Sequence, residues 1–180
     1  MTDTTSTGRS PNWHRVRPLG WGAAAVLILT PLVAMLFTTE VNWTVGDFVF
    51  AALLIGGVGM TLELAVRISG DWNYRAAAML GLAAGFFLIW ANGAVGYVGS
   101  EANPYNQLFF AVVGIAFVGA LIAGFRAKGM AWAMASAGAA HAMVGGYGFP
   151  ADPRTGPMTL AFVGMWFGSA WLFRKAARAR

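Results

Sequence analysis

Three strongly polar side chains, Glu63, Asn92 and His141, lie inside long apolar stretches of the sequence. Polar and ionisable groups are costly at membrane depth, so each of them marks a candidate functional site. Glu63 precedes Arg67 by one helical turn, which is the spacing of a stabilising ion pair. Glu63 is therefore either half of a structural pair or a carboxylate that binds a proton or a cation. The candidate intramembrane polar site consists of Glu63, Arg67, Asn92 and His141.

His141 is either a neutral histidine with one hydrogen bond or a proton relay or metal or haem ligand. The other histidine, His14, belongs to the N-terminal tail, which excludes a bis-histidine haem and a two-histidine zinc site in the bundle. Asn92 is expected to form an interhelical hydrogen bond. By depth, Glu63, His141 and Asn92 fall at inner, middle and outer levels. Polar groups at successive depths could also form a sparse ladder that moves protons or ions across the membrane.

Known catalytic patterns are missing from the sequence. It has no glycine-rich phosphate loop, no HExxH motif and no cysteine, which excludes thiol catalysis and cysteine-ligated metals. Ser136 and His141 do not face each other well enough on one helix to form a dyad. We therefore expect no cofactor and no metal, and the sequence favours a protein that is not an enzyme. Four acids fall in the predicted outer loops, as a solvated rim rather than a cation site: Glu40, Asp47, Glu101 and Asp152.

The composition limits the class of protein. Of 180 residues, 58% are hydrophobic and only 11% are charged, whereas soluble domains typically carry about 25% charged residues. About 20 apolar residues are needed for a helix to cross the hydrocarbon core of a bilayer. The sequence therefore predicts an all-α fold, a polytopic bundle of six transmembrane helices. The predicted spans are 19–38, 48–68, 76–98, 107–125, 130–148 and 158–173.

The charges predict an orientation. With six spans, Arg154 is the single basic residue on one side, and the other 11 of the 12 Lys and Arg residues fall on the opposite side. The positive-inside rule then places both termini in the cytoplasm. The net charge of +5 thus indicates anionic lipids at the cytoplasmic face as partners, and no nucleic acid. Residues 1–18 are predicted to be a disordered basic cytoplasmic tail, 19–174 the transmembrane domain and 175–180 a second basic tail.

Small residues recur at helical spacing in four of the spans, and such faces let transmembrane helices pack closely. The predicted packing faces are Ala52, Gly56, Gly59 and Glu63; Gly81, Gly85, Leu88, Asn92, Gly96 and Gly99; Ala116, Ala120 and Gly124; and Met134, Gly138, His141, Gly145 and Gly148. The short connection at 126–129 predicts that the fourth and fifth spans form a tight antiparallel hairpin.

Four segments resemble a family of small, uncharacterised bacterial integral membrane proteins. They are Glu40-Val41-Asn42-Trp43-Thr44, Tyr74-Arg75-Ala76-Ala77, Gly99-Ser100-Glu101-Ala102-Asn103-Pro104, and Gly168-Ser169-Ala170-Trp171-Leu172-Phe173-Arg174-Lys175. The resemblance runs from about Leu19 to Arg174. It implies a polytopic helical fold in a bacterial inner membrane, and it carries over no functional residue, cofactor or activity.

Two functions follow as hypotheses. The first is an inner-membrane accessory or scaffold subunit that packs through its small-residue helix faces against a membrane protein partner or a second copy. The alternative is a small transporter or a proton- or ion-translocating protein that uses Glu63 and His141.

Overall fold

The computed structural model describes residues 13–94, 96–100 and 102–179, with side chains from residue 17 onward. This part of the chain is all-helical and contains no β-strand, as predicted. The helices are α1 (Trp13–Ala34), α2 (Val45–Ile68), α3 (Trp72–Ala94), α4 (Gln107–Ile122), α5 (Ala127–Gly148) and α6 (Thr155–Arg178), with a 3₁₀ turn at Pro104–Asn106 before α4. Predictions for residues 1–12, Glu101 and Arg180 lie outside the described residues.

Four of these helical segments are long and apolar enough to cross a membrane: Arg17–Ala34, Val45–Ile68, Trp72–Ala94 and Pro104–Ile122. Helices α5 and α6 do not reach that apolar composition over a full span. Of the described helices, α5 has the most buried residues, and the buried residues of both α5 and α6 are largely Ala, Gly, Ser or Thr. A helix surrounded by other helices does not need the apolar surface that contact with lipid requires.

The chain divides into two compact units, residues 1–61 and 62–180. In the first, Thr44 and Asp47 form a capping box at the start of α2. The Asp47 carboxylate accepts hydrogen bonds from the Thr44 amide at 2.7 Å and hydroxyl at 2.8 Å, and the Asp47 amide donates back to the Thr44 hydroxyl. Trp21 of α1 packs on Gly59 of α2, but none of the described α1 residues is buried.

The second unit contains the end of α2 and helices α3–α6. Helix α6 packs against both α3 and α5, and α4 packs against α5 and α3. Alanine and glycine at the interfaces permit close approach, while Leu88, Phe109, Trp166 and Phe173 fill the centre. The guanidinium of Arg75 donates to the Ser69 carbonyl at 2.9 Å and thereby caps the end of α2.

The predicted hairpin of α4 and α5 is confirmed. A Cβ added at Gly119 would lie 2.7 Å from the Cβ of Ala133, and one at Gly129 would lie 2.6 Å from the Cβ of Ala123. These pairs run in opposite sequence directions, so the two helices are antiparallel. Only glycine allows backbones to approach this closely, because any other side chain would overlap the facing alanine.

The predicted packing face of α5 is confirmed, since all five of its members are buried. On α3 the same holds from Gly81 to Asn92, but the extension of this face to Gly96 and Gly99 was wrong. Helix α3 ends at Ala94 rather than at Val98, and both glycines have positive φ, 74° and 70°. L-residues with a side chain rarely adopt this conformation, so these two glycines form a loop and not a helix face.

The fourth span also ends earlier than predicted, at Ile122 instead of Phe125. The Phe125 amide donates to the Ala120 carbonyl and the Gly124 amide to the Leu121 carbonyl, which together form a Schellman motif. Gly124, with φ of 53°, is the left-handed residue of the motif, so it does not belong to the predicted packing face. Tyr74 of α3 donates its hydroxyl proton to the Phe125 carbonyl at 2.7 Å and holds this turn in place.

Other boundaries also differ from the predicted spans. Helix α1 ends at Ala34 rather than at 38, α2 begins at Val45 rather than at 48, and α3 begins at Trp72 rather than at 76. Helix α1 begins at Trp13, so residues 13–18 are helical rather than part of a disordered tail. Helix α5 begins at Ala127 instead of Met130. Helix α6 extends from Thr155 to Arg178, beyond the apolar stretch at both ends. Apolar composition marks the segment that could lie in lipid, whereas backbone hydrogen bonding continues through the polar residues that flank it.

Candidate functional site

His141 lies in the middle of the second unit and is completely buried. Its Nε2 atom is 3.0 Å from the hydroxyl oxygen of Tyr97, which in turn is 3.3 Å from the hydroxyl oxygen of Thr159. The three residues come from α5, the loop after α3, and α6. They form a buried chain of hydrogen-bonding groups that joins three parts of the unit.

Aromatic rings enclose the imidazole on several sides. Phe162 of α6 stacks on His141 with ring centroids 5.4 Å apart and an interplanar angle of 19°. Phe109 of α4 meets it edge-on, also at 5.4 Å, and Tyr97 stacks on Phe109 at 4.0 Å. Such an apolar environment disfavours charge, which fits a neutral imidazole.

The loop between α3 and α4 places Tyr97 in this position. The side-chain oxygen of Asn106 accepts hydrogen bonds from the amides of Tyr97, at 3.2 Å, and Val98, at 2.8 Å. The Asn106 amide group donates to the Ser100 carbonyl at 2.8 Å. Asn103 caps the following turn through the Tyr105 amide. These contacts replace the helical hydrogen bonds that Tyr97 and Val98 would form if α3 continued.

Asp152, in the loop between α5 and α6, links the two loops at this end of the unit. Its carboxylate accepts a hydrogen bond from the Gly99 amide at 3.1 Å and pairs with the Arg154 guanidinium at 2.9 Å. The hydrogen bonds from the side chain and the backbone of Arg154 hold the pKa of Asp152 well below its usual range. We call these three residues the loop clasp.

Asn92 lies on the buried face of α3, with 4% of its surface exposed. Neither its amide nitrogen nor its carbonyl oxygen has a hydrogen-bond partner among the described residues. The same is true of Nδ1 of His141 and of Nε1 of Trp166. The predicted interhelical hydrogen bond of Asn92 is therefore not seen among the described residues.

Glu63 and Arg67 form the predicted pair on α2. The carboxylate and guanidinium are 3.5 Å apart, with 15% of the Glu63 side chain and 70% of the Arg67 side chain exposed. Of the four predicted site residues, the structure brings these two together. His141 is paired with Tyr97 instead.

The position of the Tyr97 hydroxyl proton determines which nitrogen of the His141 ring carries a proton. The Tyr97 hydroxyl has two polar neighbours and a single hydrogen, so it donates to one of them and accepts from the other. If it donates to Thr159, then His141 carries its proton on Nε2 and Nδ1 is an acceptor. If it donates to His141, then Nδ1 carries the proton and is a donor. In both cases Nδ1 remains able to bind one further polar group.

Sequence reasoning identified His141 and Asn92 but missed Tyr97 and Thr159. Tyr97 was placed inside a helix, and the available signal was its position between Gly96 and Gly99, which is typical of a loop. Thr159 gives no such signal, because threonine at a helix interface is common in membrane proteins.

Among the described residues, no three His, Asp or Glu side chains come together as a metal site would require. No protein-family model, curated protein or solved structure matches this chain.

Proposed function

We propose that the chain is a multi-pass protein of a bacterial inner membrane, with six spans and both termini in the cytoplasm. Four membrane-length apolar helices support a membrane location. Helices α5 and α6 have 22 and 24 residues, and at 1.5 Å per residue each is longer than the roughly 30 Å hydrocarbon core. The sorting of basic residues, with Arg154 alone on one side, supports the orientation.

Within this membrane protein, we propose that α1 and α2 act as the docking part of an accessory or scaffold subunit. The observation that carries this proposal is the surroundings of the glycines in the first unit. Positions Gly20, Gly22, Gly56 and Gly57 have no heavy atom of the described chain within 4 Å of an added Cβ. Glycine in a transmembrane helix weakens the contact with lipid and is useful where another helix approaches. The occupant is a membrane protein partner or a second copy of the chain.

Transport of protons or ions through Glu63 and His141 is the second candidate. The unpartnered Nδ1 atom of the fully buried His141 favours it, because a relay needs a group that can bind a further proton donor or acceptor. The separate pairing of Glu63 with Arg67 counts against a single continuous path. In proteoliposomes, transport predicts that Glu63→Gln and His141→Gln each abolish a proton flux that the unsubstituted chain supports.

The topology is tested by single-cysteine labelling, for which the cysteine-free chain needs no prior changes. In intact cells, a membrane-impermeant maleimide should label Glu40→Cys and Arg154→Cys. It should label Lys128→Cys and Arg178→Cys only after permeabilisation. Labelling of Arg154→Cys and Lys128→Cys from the same side would show that α5 does not cross the membrane and would refute six spans.

The docking role is tested by purifying the full chain in mild detergent and identifying what comes with it. Gly56→Leu should remove the co-purified partner or convert an oligomer to a monomer. Gly164→Leu is the matched control, because Gly164 of α6 also has open surroundings but lies in the second unit. Equal loss in both variants, or no specific partner and no oligomer for the unsubstituted chain, would refute the docking role.

A further inference from the structure

Contacts between α3 and α6 show which residues lie at the same depth in the second unit. A Cβ at Gly85 would be 3.8 Å from the Trp166 ring, and one at Gly81 would be 3.0 Å from the Ser169 hydroxyl. The sequence numbers run in opposite directions, so the helices are antiparallel. Two helical turns beyond this contact, Asn92 of α3 and Thr159 of α6 come to the same level.

Contacts between α5 and α6 bring His141 close to that level. A Cβ at Gly138 would be 3.1 Å from the Cβ of Trp166, and a Cβ at Gly145 would overlap Thr159. His141 lies between these two glycines, one turn from Gly145. Asn92, Thr159, the Tyr97 hydroxyl and His141 are therefore within about one helical turn, or ~5 Å, of one another in depth. We call these four residues the polar level.

The polar level contains more hydrogen-bonding capacity than its own contacts use. Asn92 offers an unpartnered donor and an unpartnered acceptor, and His141 offers Nδ1. Buried polar groups are almost always hydrogen-bonded, to protein or to an ordered internal molecule. A buried water typically has two to four such polar partners.

We propose that the polar level is a binding site for a small, neutral, hydrogen-bonding molecule, and that this molecule is water. Asn92 needs a partner that both donates and accepts, which water does. The side chains that stack on His141 or hydrogen-bond to it are Tyr97, Phe109 and Phe162, and none of these three carries a charge that would hold an ion. The tight contact of Gly145 with Thr159 leaves no space for a bulky guest at that interface. The site does not depend on the proposed docking role.

Water at His141 can be detected directly by NMR. The chain has two histidines, so His14→Gln leaves one imidazole signal in protein labelled with ¹⁵N-histidine. In lipid nanodiscs, we expect magnetisation transfer from water to the His141 ring on a timescale that indicates a bound molecule. Absence of that transfer in the otherwise intact chain would overturn the proposal, and this measurement does not require any change in the bundle.

Asn92→Leu tests whether Asn92 holds the same molecule. If it does, the variant loses the water transfer to His141 and its Tm falls, because hydrogen bonds of the bound molecule are lost. If the amide has no partner, leucine removes an unsatisfied buried group and Tm rises, which would contradict the proposal. Unchanged water transfer would also contradict it, since Asn92 would then lie outside the site.

Asn106→Leu is the matched control for the same change. Asn106 is equally buried, but its side chain is fully engaged with the Tyr97, Val98 and Ser100 backbone. Tm should fall in this variant whether or not water is bound. The sign of the Tm change in Asn92→Leu, read against this control, therefore separates a partnered asparagine from an unpartnered one.

Discussion

Glycine-rich helices occur in both units of the chain, but their glycines have different surroundings. In residues 62–180, Gly81, Gly138 and Gly145 each face a side chain that an added Cβ would meet at or below about 3.1 Å. In residues 1–61, Gly20 and Gly56 face open space within the described chain. Both units also contain the opposite case, since Gly146 and Gly164 of the second unit have open surroundings and Gly59 of the first packs on Trp21. The glycine contacts below about 3.1 Å nevertheless all lie in the second unit.

This difference has a physical cause in membranes. Lipid is as apolar as a leucine side chain, so burial of apolar surface does not drive one helix onto another. Helices associate where backbones can approach and where polar groups can pair. The second unit has both features, namely the glycine contacts and the chain from His141 through Tyr97 to Thr159. In the first unit, Trp21 of α1 packs on Gly59 of α2, and none of the described α1 residues is buried.

The largest effect is expected at Gly145 of α5. Gly145→Ala places a methyl group onto the Thr159 side chain and should destabilise the fold by about 3 kcal/mol, the upper end for overpacking. Gly146→Ala, at the next position, meets nothing within 4 Å and should be neutral or slightly stabilising. Thermal unfolding of the two variants in the same detergent measures the contrast. Equal stability of the two would mean that the α5–α6 contact is not this close in the protein.

The sequence predicted the α5 face because helical spacing and burial coincide there. It failed at Gly96 and Gly99, since their loop depends on Asn106, a side chain beyond the reach of periodicity. From spacing alone, Gly56 and Gly145 were both predicted to lie on packing faces, although only Gly145 meets a neighbouring side chain. Which glycine faces a neighbour depends on helix packing, and a pattern within one helix contains no information on it.

The sequence likewise predicted some features of the candidate site and missed others. Burial of His141 was foreseeable from its apolar surroundings, and the pairing of Glu63 with Arg67 from their spacing along one helix. The partnership of His141 with Tyr97 was not foreseeable, because it requires the loop after α3 to turn back into the bundle. Long-range pairs of this kind become visible only when the helices are placed in three dimensions.

The second prediction concerns the polar contact inside the packed unit. Tyr97→Phe removes the hydroxyl group and leaves Nε2 of the buried His141 without its partner, at a cost of about 1–3 kcal/mol. Tyr147→Phe is the control, because that side chain is 78% exposed and its change should stay within about 0.5 kcal/mol. Chemical or thermal unfolding distinguishes them, and equal losses would show that the Tyr97 hydroxyl contributes nothing specific.

Because of the loop clasp, we expect the stability of the second unit to depend on pH. Because the folded-state pKa of Asp152 is lowered, its contribution to stability is present above the unfolded-state pKa of about 4 and is lost as pH falls through the folded-state value. Asp152→Asn should therefore lower Tm at neutral pH, and the gap to the unsubstituted chain should shrink as the pH falls below about 4. Glu40→Gln, in the exposed loop before α2, should leave Tm unchanged across this range. A constant gap for Asp152→Asn would refute the linkage.

The smallest effect on stability is expected in the first unit. Gly20→Ala and Gly56→Ala add a methyl group where nothing lies within 4 Å, so each should change the unfolding free energy by no more than about 0.5 kcal/mol. The unfolding free energy is measured in detergent without a partner. A near-neutral change in these two variants would distinguish the open glycines of the first unit from the tightly packed Gly145. A loss as large as that of Gly145→Ala would show that α1 and α2 are already packed through these glycines. The larger Gly56→Leu would then act on the fold of the chain itself, and loss of a partner in that variant would no longer indicate a docking face.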